Sequence, residues 1–274
     1  MVLQVEEMAI CFDQSFGNVL QNISMDFGQA SITGILGRNG SGKSTLMRTL
    51  MGLNPLKQGR ILYNGRELGI SKKELYRYRQ EVAMVFQDPD QQLFSTIVWD
   101  DVALALRNLG VPETECSSRV TKALEVMDIL TLKDYPIAYL SYGQKKRVAI
   151  ASILALQPRY LLLDEPTAGL DPEGRTQMLA LIQNLAQKGV KVVLSSHDMD
   201  LMYACCDYAY VLDQGQICLA GTKETVFMER EKLRQAGLDC PWLVRLHLDL
   251  GFPLYRNEQE FEKESRKIQW PDHL

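Results

Sequence analysis

The chain has 274 residues, 46% of them apolar and 23% charged, with a net charge of -4 and a pI near 5.5. That length can bury a large core and divide into lobes, and the mild acidity supplies no global basic field, which argues against a nucleic-acid partner. The six cysteines form no C-x-x-C pair, and His197, His247 and His273 lack metal-ligand spacing, so reduced thiols and no dedicated transition-metal site are expected.

In chain order, residues 1–7 lack the basic and apolar blocks of a signal peptide. The Leu3-Gln4-Val5 alternation and the Gly59-Arg60-Ile61-Leu62-Tyr63-Asn64-Gly65 segment, with its hairpin-forming Asn64-Gly65, predict a small antiparallel sheet. Apolar runs at 32–36, 82–86, 160–163 and 190–194 read as strands buried on both faces, and they end at Gly37, Gln87, Asp164 and Ser195-Ser196-His197. Four strands delivering polar termini to one edge predict an α/β core, mainly a parallel sheet, with its site beyond the strand ends. Between the second and third runs the pattern turns helical. Pro112 sits where a helix begins, and Val120, Leu124 and Met127 share a face, which predicts an inserted helical subdomain over about 88–156. Residues 229–274 read as a mostly helical tail. A charged helix closes at Ala236-Gly237, and Pro241 starts another whose Leu243, Leu246 and Leu250 share a face. No run approaches the roughly 18–20 apolar residues of a spanning helix, so the chain is not expected to cross a membrane by itself, which leaves docking on one open.

Gly37-Arg38-Asn39-Gly40-Ser41-Gly42-Lys43-Ser44 follows the first run and precedes an apolar helix starting at Thr45-Leu46, satisfying G-x-x-x-x-G-K-[ST]. Glycines let backbone N–H groups turn onto phosphate oxygens, a helix N-terminus adds positive potential, and Lys43 would reach the β- and γ-phosphates. A dinucleotide fingerprint is disfavoured because its third glycine would fall on Thr45. Ser44 and Asp164 are candidate Mg²⁺ ligands, and Glu165 is the candidate for polarising the attacking water.

Leu140-Ser141-Tyr142-Gly143-Gln144, some twenty residues before Asp164, resembles the L-S-G-G-Q signature of the ABC ATPase family. Gln87, the 168–171 segment ending at Asp171, and His197 resemble that family's Q-loop glutamine, D-loop and switch histidine, in the same order. The resemblance covers roughly residues 1–228 and implies a MgATP-hydrolysing domain that works as a homodimer or as a heterodimer with a paralogue. In it the signature of one subunit faces the γ-phosphate held by the other, Gln87 would also meet Mg²⁺, and His197 would join Glu165 in catalysis. Phe12 is the expected adenine-stacking residue, with Phe16 as the alternative. Tyr142 stands where most members have glycine and reads as a tolerated variant that needs room at the interface.

Gln87-Asp88-Pro89-Asp90-Gln91-Gln92-Leu93-Phe94 resembles the energy-coupling-factor branch of ABC importers, and the 236–254 tail resembles the cobalt-importing subgroup within it. These likenesses imply a peripheral ATPase on the cytoplasmic face of the membrane. Its partners would be a T-type permease and a substrate-binding membrane component, the cargo cobalt or nickel, with a vitamin as the alternative. A soluble ABC ATPase is disfavoured by the single P-loop and the lack of sustained heptads.

Overall fold

The computed structural model describes residues 2–12 and 17–266. Two sheets organise it. Strands β1 (Leu3–Ile10), β2 (Leu20–Asp26), β4 (Gln58–Tyr63) and β5 (Arg66–Glu67) form an antiparallel sheet in the order β2-β1-β4-β5, with Asn64-Gly65 turning the last hairpin. Strands β3 (Ile32–Leu36), β6 (Val82–Val85), β7 (Tyr160–Asp164), β8 (Lys191–Ser196), β9 (Tyr208–Asp213) and β10 (Gln216–Thr222) form the main sheet in the order β10-β9-β3-β8-β7-β6. All of its pairings are parallel except β9 with β10.

The continuous apolar runs are explained by what covers the main sheet. Leu161, Leu163, Val192 and Leu194 point into one core, and Tyr160, Leu162 and Val193 into a second on the opposite face. A strand walled on both sides has no place for alternating polar residues. The second core is completed by α1 (Lys43–Leu50), the antiparallel sheet and Tyr78 of α2 (Lys72–Glu81). The first is completed by α3 (Val98–Asn108), α4 (Glu113–Val126), α5 (Tyr142–Leu154), α6 (Pro172–Gln187) and α7 (Met199–Cys205). Helices α3, α4 and α5 pack on one another between β6 and β7 in sequence, and Val120, Leu124 and Met127 are buried there as their spacing predicts.

The tail folds back onto that core. Helices α8 (Lys223–Met228), α9 (Arg230–Gln235), α10 (Trp242–Leu250) and α11 (Glu258–Ser265) follow β10. The Tyr203 hydroxyl donates to the Tyr255 carbonyl at 2.8 Å, and its ring meets Phe227 edge-on. The buried side chains of α10 are Leu243 and Val244, and Leu246 packs half-buried against the core, while Leu250 is 68% exposed, so the face shared by Leu243, Leu246 and Leu250 is covered except at its last member. The reason is local: the helix docks by its first turn, where the Trp242 N–H donates to Asp200 Oδ1 at 2.8 Å, and its last turn runs past the core to Gly251.

Three observed strands, β2, β9 and β10, were not among the sequence expectations. The main-sheet strands also differ at their ends: β6 stops at Val85, β7 runs on to Asp164, and β8 is shifted to 191–196.

Candidate functional site

The carboxyl ends of β3, β7 and β8 lie side by side in the sheet and carry the phosphate loop, Asp164-Glu165 and Ser195-Ser196-His197. Gly42 caps α1 in the left-handed region at φ 105°, and a β-carbon there would lie 2.5 Å from Leu20 Cδ2. Only glycine fits that turn. Lys43 opens the helix and is nearly enclosed at 6% exposure. Its Nζ donates to the Gly37 carbonyl at 2.6 Å and the Arg38 carbonyl at 3.2 Å, and lies 3.8 Å from Glu165 Oε1. Burial pushes the Lys43 ammonium below its ordinary pKa, and the carboxylates of Glu165 and Asp164 oppose the shift. Arg38, Asn39 and Gly40 are exposed, while Ser44 and Thr45 are half-buried on the first turn of α1. The Ser41 hydroxyl is buried with no hydrogen-bond partner among the described residues. Such an oxygen fits a loop that closes around a phosphate, because an unsatisfied buried hydroxyl is costly.

Across the loop, the adjacent carboxylates take different partners. Asp164 Oδ1 accepts from the Ser195 hydroxyl at 2.5 Å. Glu165 leaves the strand with φ 47°, and its N–H donates to the Ser195 carbonyl at 3.1 Å. Its carboxylate is bonded by the Ser196 hydroxyl at 3.3 Å and by His197 Nδ1 at 3.0 Å. Asp164 and Glu165 are buried, whereas the His197 side chain is 59% exposed, so the cluster opens to solvent on the histidine side.

The signature region is held elsewhere. Ser141 caps α5 and completes a capping box with Gln144, and Asp171 caps α6 by accepting from the Gly174 N–H at 2.8 Å. Leu140 is buried, Ser141 and Asp171 are exposed, and Gly143 is half-buried. Residues 141–144 and 169–171 line one end of a cleft of about 740 Å³ between α4, α5 and α6. Tyr142 does more than occupy room. Its hydroxyl donates to the carbonyl of Gln87 at 3.1 Å, so the Q-loop and signature segments touch within one chain. At the end of the 87–94 segment, Phe94 is 78% exposed and Leu93 packs against the core.

Phe12 is 61% exposed at the end of β1, on a connection whose return at Val19 and Leu20 packs against Gly42. Its rival, Phe16, lies outside the described residues. Three polar residues of the site were given no role from sequence. Ser195 and Ser196 orient the carboxylates, and their position just before His197 at a strand end was the available signal. Lys146 had none: it is 1% exposed and donates from α5 to the carbonyls of Glu165 and Ala168 at 2.9 and 3.1 Å.

The chain is similar to known proteins. The ABC transporter family matches residues 20–168. The cobalt import ATP-binding protein CbiO of Salmonella typhimurium is 53% identical over 243 residues, covering 89% of this chain and 90% of that protein. The energy-coupling factor transporter ATP-binding protein EcfA3 of Clostridium perfringens is 39% identical over 246 residues, covering 89% and 86%. The solved structure of CbiO1 from Clostridium perfringens, described as part of the ABC transporter complex CbiONQ, superposes with a TM-score of 0.77 at 38% identity, covering 90% of this chain and 96% of that one. A P-loop at the end of β3, a carboxylate pair at the end of β7 and these likenesses over most of the chain lead to one family: the chain belongs to the ABC transporter ATPases, as a subunit that binds ATP and hydrolyses it to drive transport.

Proposed function

We propose that this chain powers an energy-coupling-factor importer for cobalt ions, as one of two cassettes that close head-to-tail around two ATP molecules on the cytoplasmic face of the membrane. The observation that carries the catalytic part is the setting of Glu165, a buried carboxylate with hydrogen bonds from Ser196 and His197 and Lys43 at 3.8 Å. Held this way, Glu165 polarises the attacking water and His197 steadies it from the open side. Residues 37–45 receive the phosphates through backbone N–H groups and Lys43, and the Ser41 hydroxyl finds its partner there. Ser44, Asp164 and the Gln87 side chain form an all-oxygen donor set that suits Mg²⁺, which when bound neutralises charge on the phosphate oxygens. Phe12 stacks on adenine.

Ser141, Gly143 and Gln144 serve the partner's γ-phosphate, with Asp171 close by at the same interface. The exposed cap of α5 supports this, because an uncovered helix N-terminus is an anion site. Similarity to the Salmonella cobalt protein supports the cargo. No helix among the described residues is long and apolar enough to cross a membrane. The exposed Phe94, beside the Q-loop, supports docking on a membrane permease that works with a separate substrate-binding component.

Glu165→Gln tests the core of the reading. The variant should bind ATP, accumulate as a dimer on size-exclusion chromatography, and turn over on the order of 10²-fold or more slowly. Unchanged turnover, or a variant that stays monomeric with ATP, would refute the site assignments. Cobalt uptake by the transporter reconstituted with its membrane partners tests the cargo: ATP-dependent accumulation of a vitamin without cobalt would replace it.

A further inference from the structure

Three side-chain bridges fasten α5, between Tyr142 and Ala149, to the segment that follows β6. The Tyr142 hydroxyl donates to the Gln87 carbonyl at 3.1 Å, and Lys145 Nζ meets Asp90 Oδ1 at 2.7 Å. Gln92 spans the gap between the two segments. Its amide nitrogen donates to the Ala149 carbonyl at 2.9 Å, and its amide oxygen accepts from the Phe86 N–H at 3.1 Å. The Asp88-Pro89-Asp90-Gln91-Gln92 stretch thus has a task inside the chain. It holds the exit of β6 to the signature helix.

Tyr142 also reaches the turn after Glu165. Its ring covers Gly169 so closely that a β-carbon there would lie 2.7 Å from Cε1. Beneath the ring, 5.7 Å from its centroid, is the ammonium of Lys146, which is bonded to the carbonyls of Glu165 and Ala168. One side chain on the first turn of α5 therefore touches both the segment bearing Gln87 and the turn after Glu165. The glycine usual at this signature position has neither ring nor hydroxyl and makes none of these contacts.

We infer that Tyr142 is a positioning residue that locks Gln87, the 165–169 turn and the cap of α5 into one body. A shift of Gln87 at the chain's own nucleotide is then passed to Ser141 at the partner's nucleotide, so the two sites act together. The inference rests on the proposed head-to-tail pairing, in which Ser141 serves the partner.

Two variants separate the contacts: Tyr142→Phe removes the hydroxyl and keeps the ring, and Tyr142→Gly removes both. In the MgADP-loaded monomer, amide hydrogen exchange over 87–92 and 142–147 should rise about fivefold in the first variant, the size of one lost hydrogen bond. It should rise further in the second. In the dimer, the Hill coefficient for ATP turnover should be above 1 for the parent and fall toward 1 in both variants, further in Tyr142→Gly, whereas a merely structural residue would lower kcat and leave it in place. Unchanged exchange in Tyr142→Phe overturns the lock. A Hill coefficient of 1 in the parent, or one untouched by either variant, overturns the coupling. The exchange arm needs no dimer, so a failure of the pairing itself shows up separately, as a Glu165→Gln chain that stays monomeric.

Discussion

Around Lys43 the polar groups other than the Ser41 hydroxyl are answered from within the chain, whereas the first turn of α5 is satisfied by its own cap and leaves Ser141 facing solvent. Strands β3, β7 and β8 supply the first region, and a parallel sheet buried on both faces fixes its carboxylates with little freedom. The second region sits on a helix whose ties run to a loop. Only the first of these regions is finished by one chain. The phosphate loop needs only a ligand, while the exposed cap makes sense when another surface meets it.

The sharpest way to break the contrast is Lys43→Ala. Removing the enclosed ammonium should lower kcat by on the order of 10²–10³-fold, as for other lost charge-stabilising donors, and steady-state phosphate release would read it. Ser141→Ala attacks the other region. It should lower kcat by about 10²-fold and cost about 1 kcal/mol of stability through the lost cap, checked by phosphate release and urea unfolding. ATP binding to the monomer should be retained in Ser141→Ala and weakened in Lys43→Ala.

Lys146 joins the two regions and supplies a pH test. Burial lowers its pKa from 10.5 to about 8. A lysine depressed on folding opposes the folded state while it is charged, below about pH 8, and that penalty is relieved as pH rises from about 8 toward 10.5. Lys146→Gln should therefore remove an upward component of stability over that window, seen by subtracting the variant's unfolding free energies from the parent's at each pH. The smallest effect is expected at Asp198, whose side chain caps α7 just after His197. Asp198→Ala should cost about 1 kcal/mol in urea unfolding.

Strands β3, β6, β7 and β8 were legible because burial on both faces leaves unbroken apolar runs, and Gly37 to Ser44 was legible because a phosphate turn admits few residue types. β2 was not, since its Leu20-Gln21-Asn22-Ile23 pattern pairs through bulged register with β1. β10 was not, because as an edge strand its residues are mostly exposed or half-buried and its pattern carries little periodicity. Lys146 was invisible for a different reason. Beside Lys145 and Arg147 it reads as one more solvated charge, and only the fold turns it inward to the Glu165 and Ala168 carbonyls. The apolar face assigned to α10 is covered at Leu243 and Leu246 but not at Leu250, because periodicity gives the direction of a stripe but not how far along the helix its cover extends.

The order of strands in the main sheet has a consequence in time. β3, which carries the phosphate loop, lies between β8 and β9, so its neighbours are residues 191–213. A growing chain that has reached residue 180 contains every residue of the loop but neither strand that flanks β3. Nucleotide can therefore act as a folding ligand only once residues 191–213 have been made, and the long interval before β3 is seated is when its bare apolar edges most need shelter.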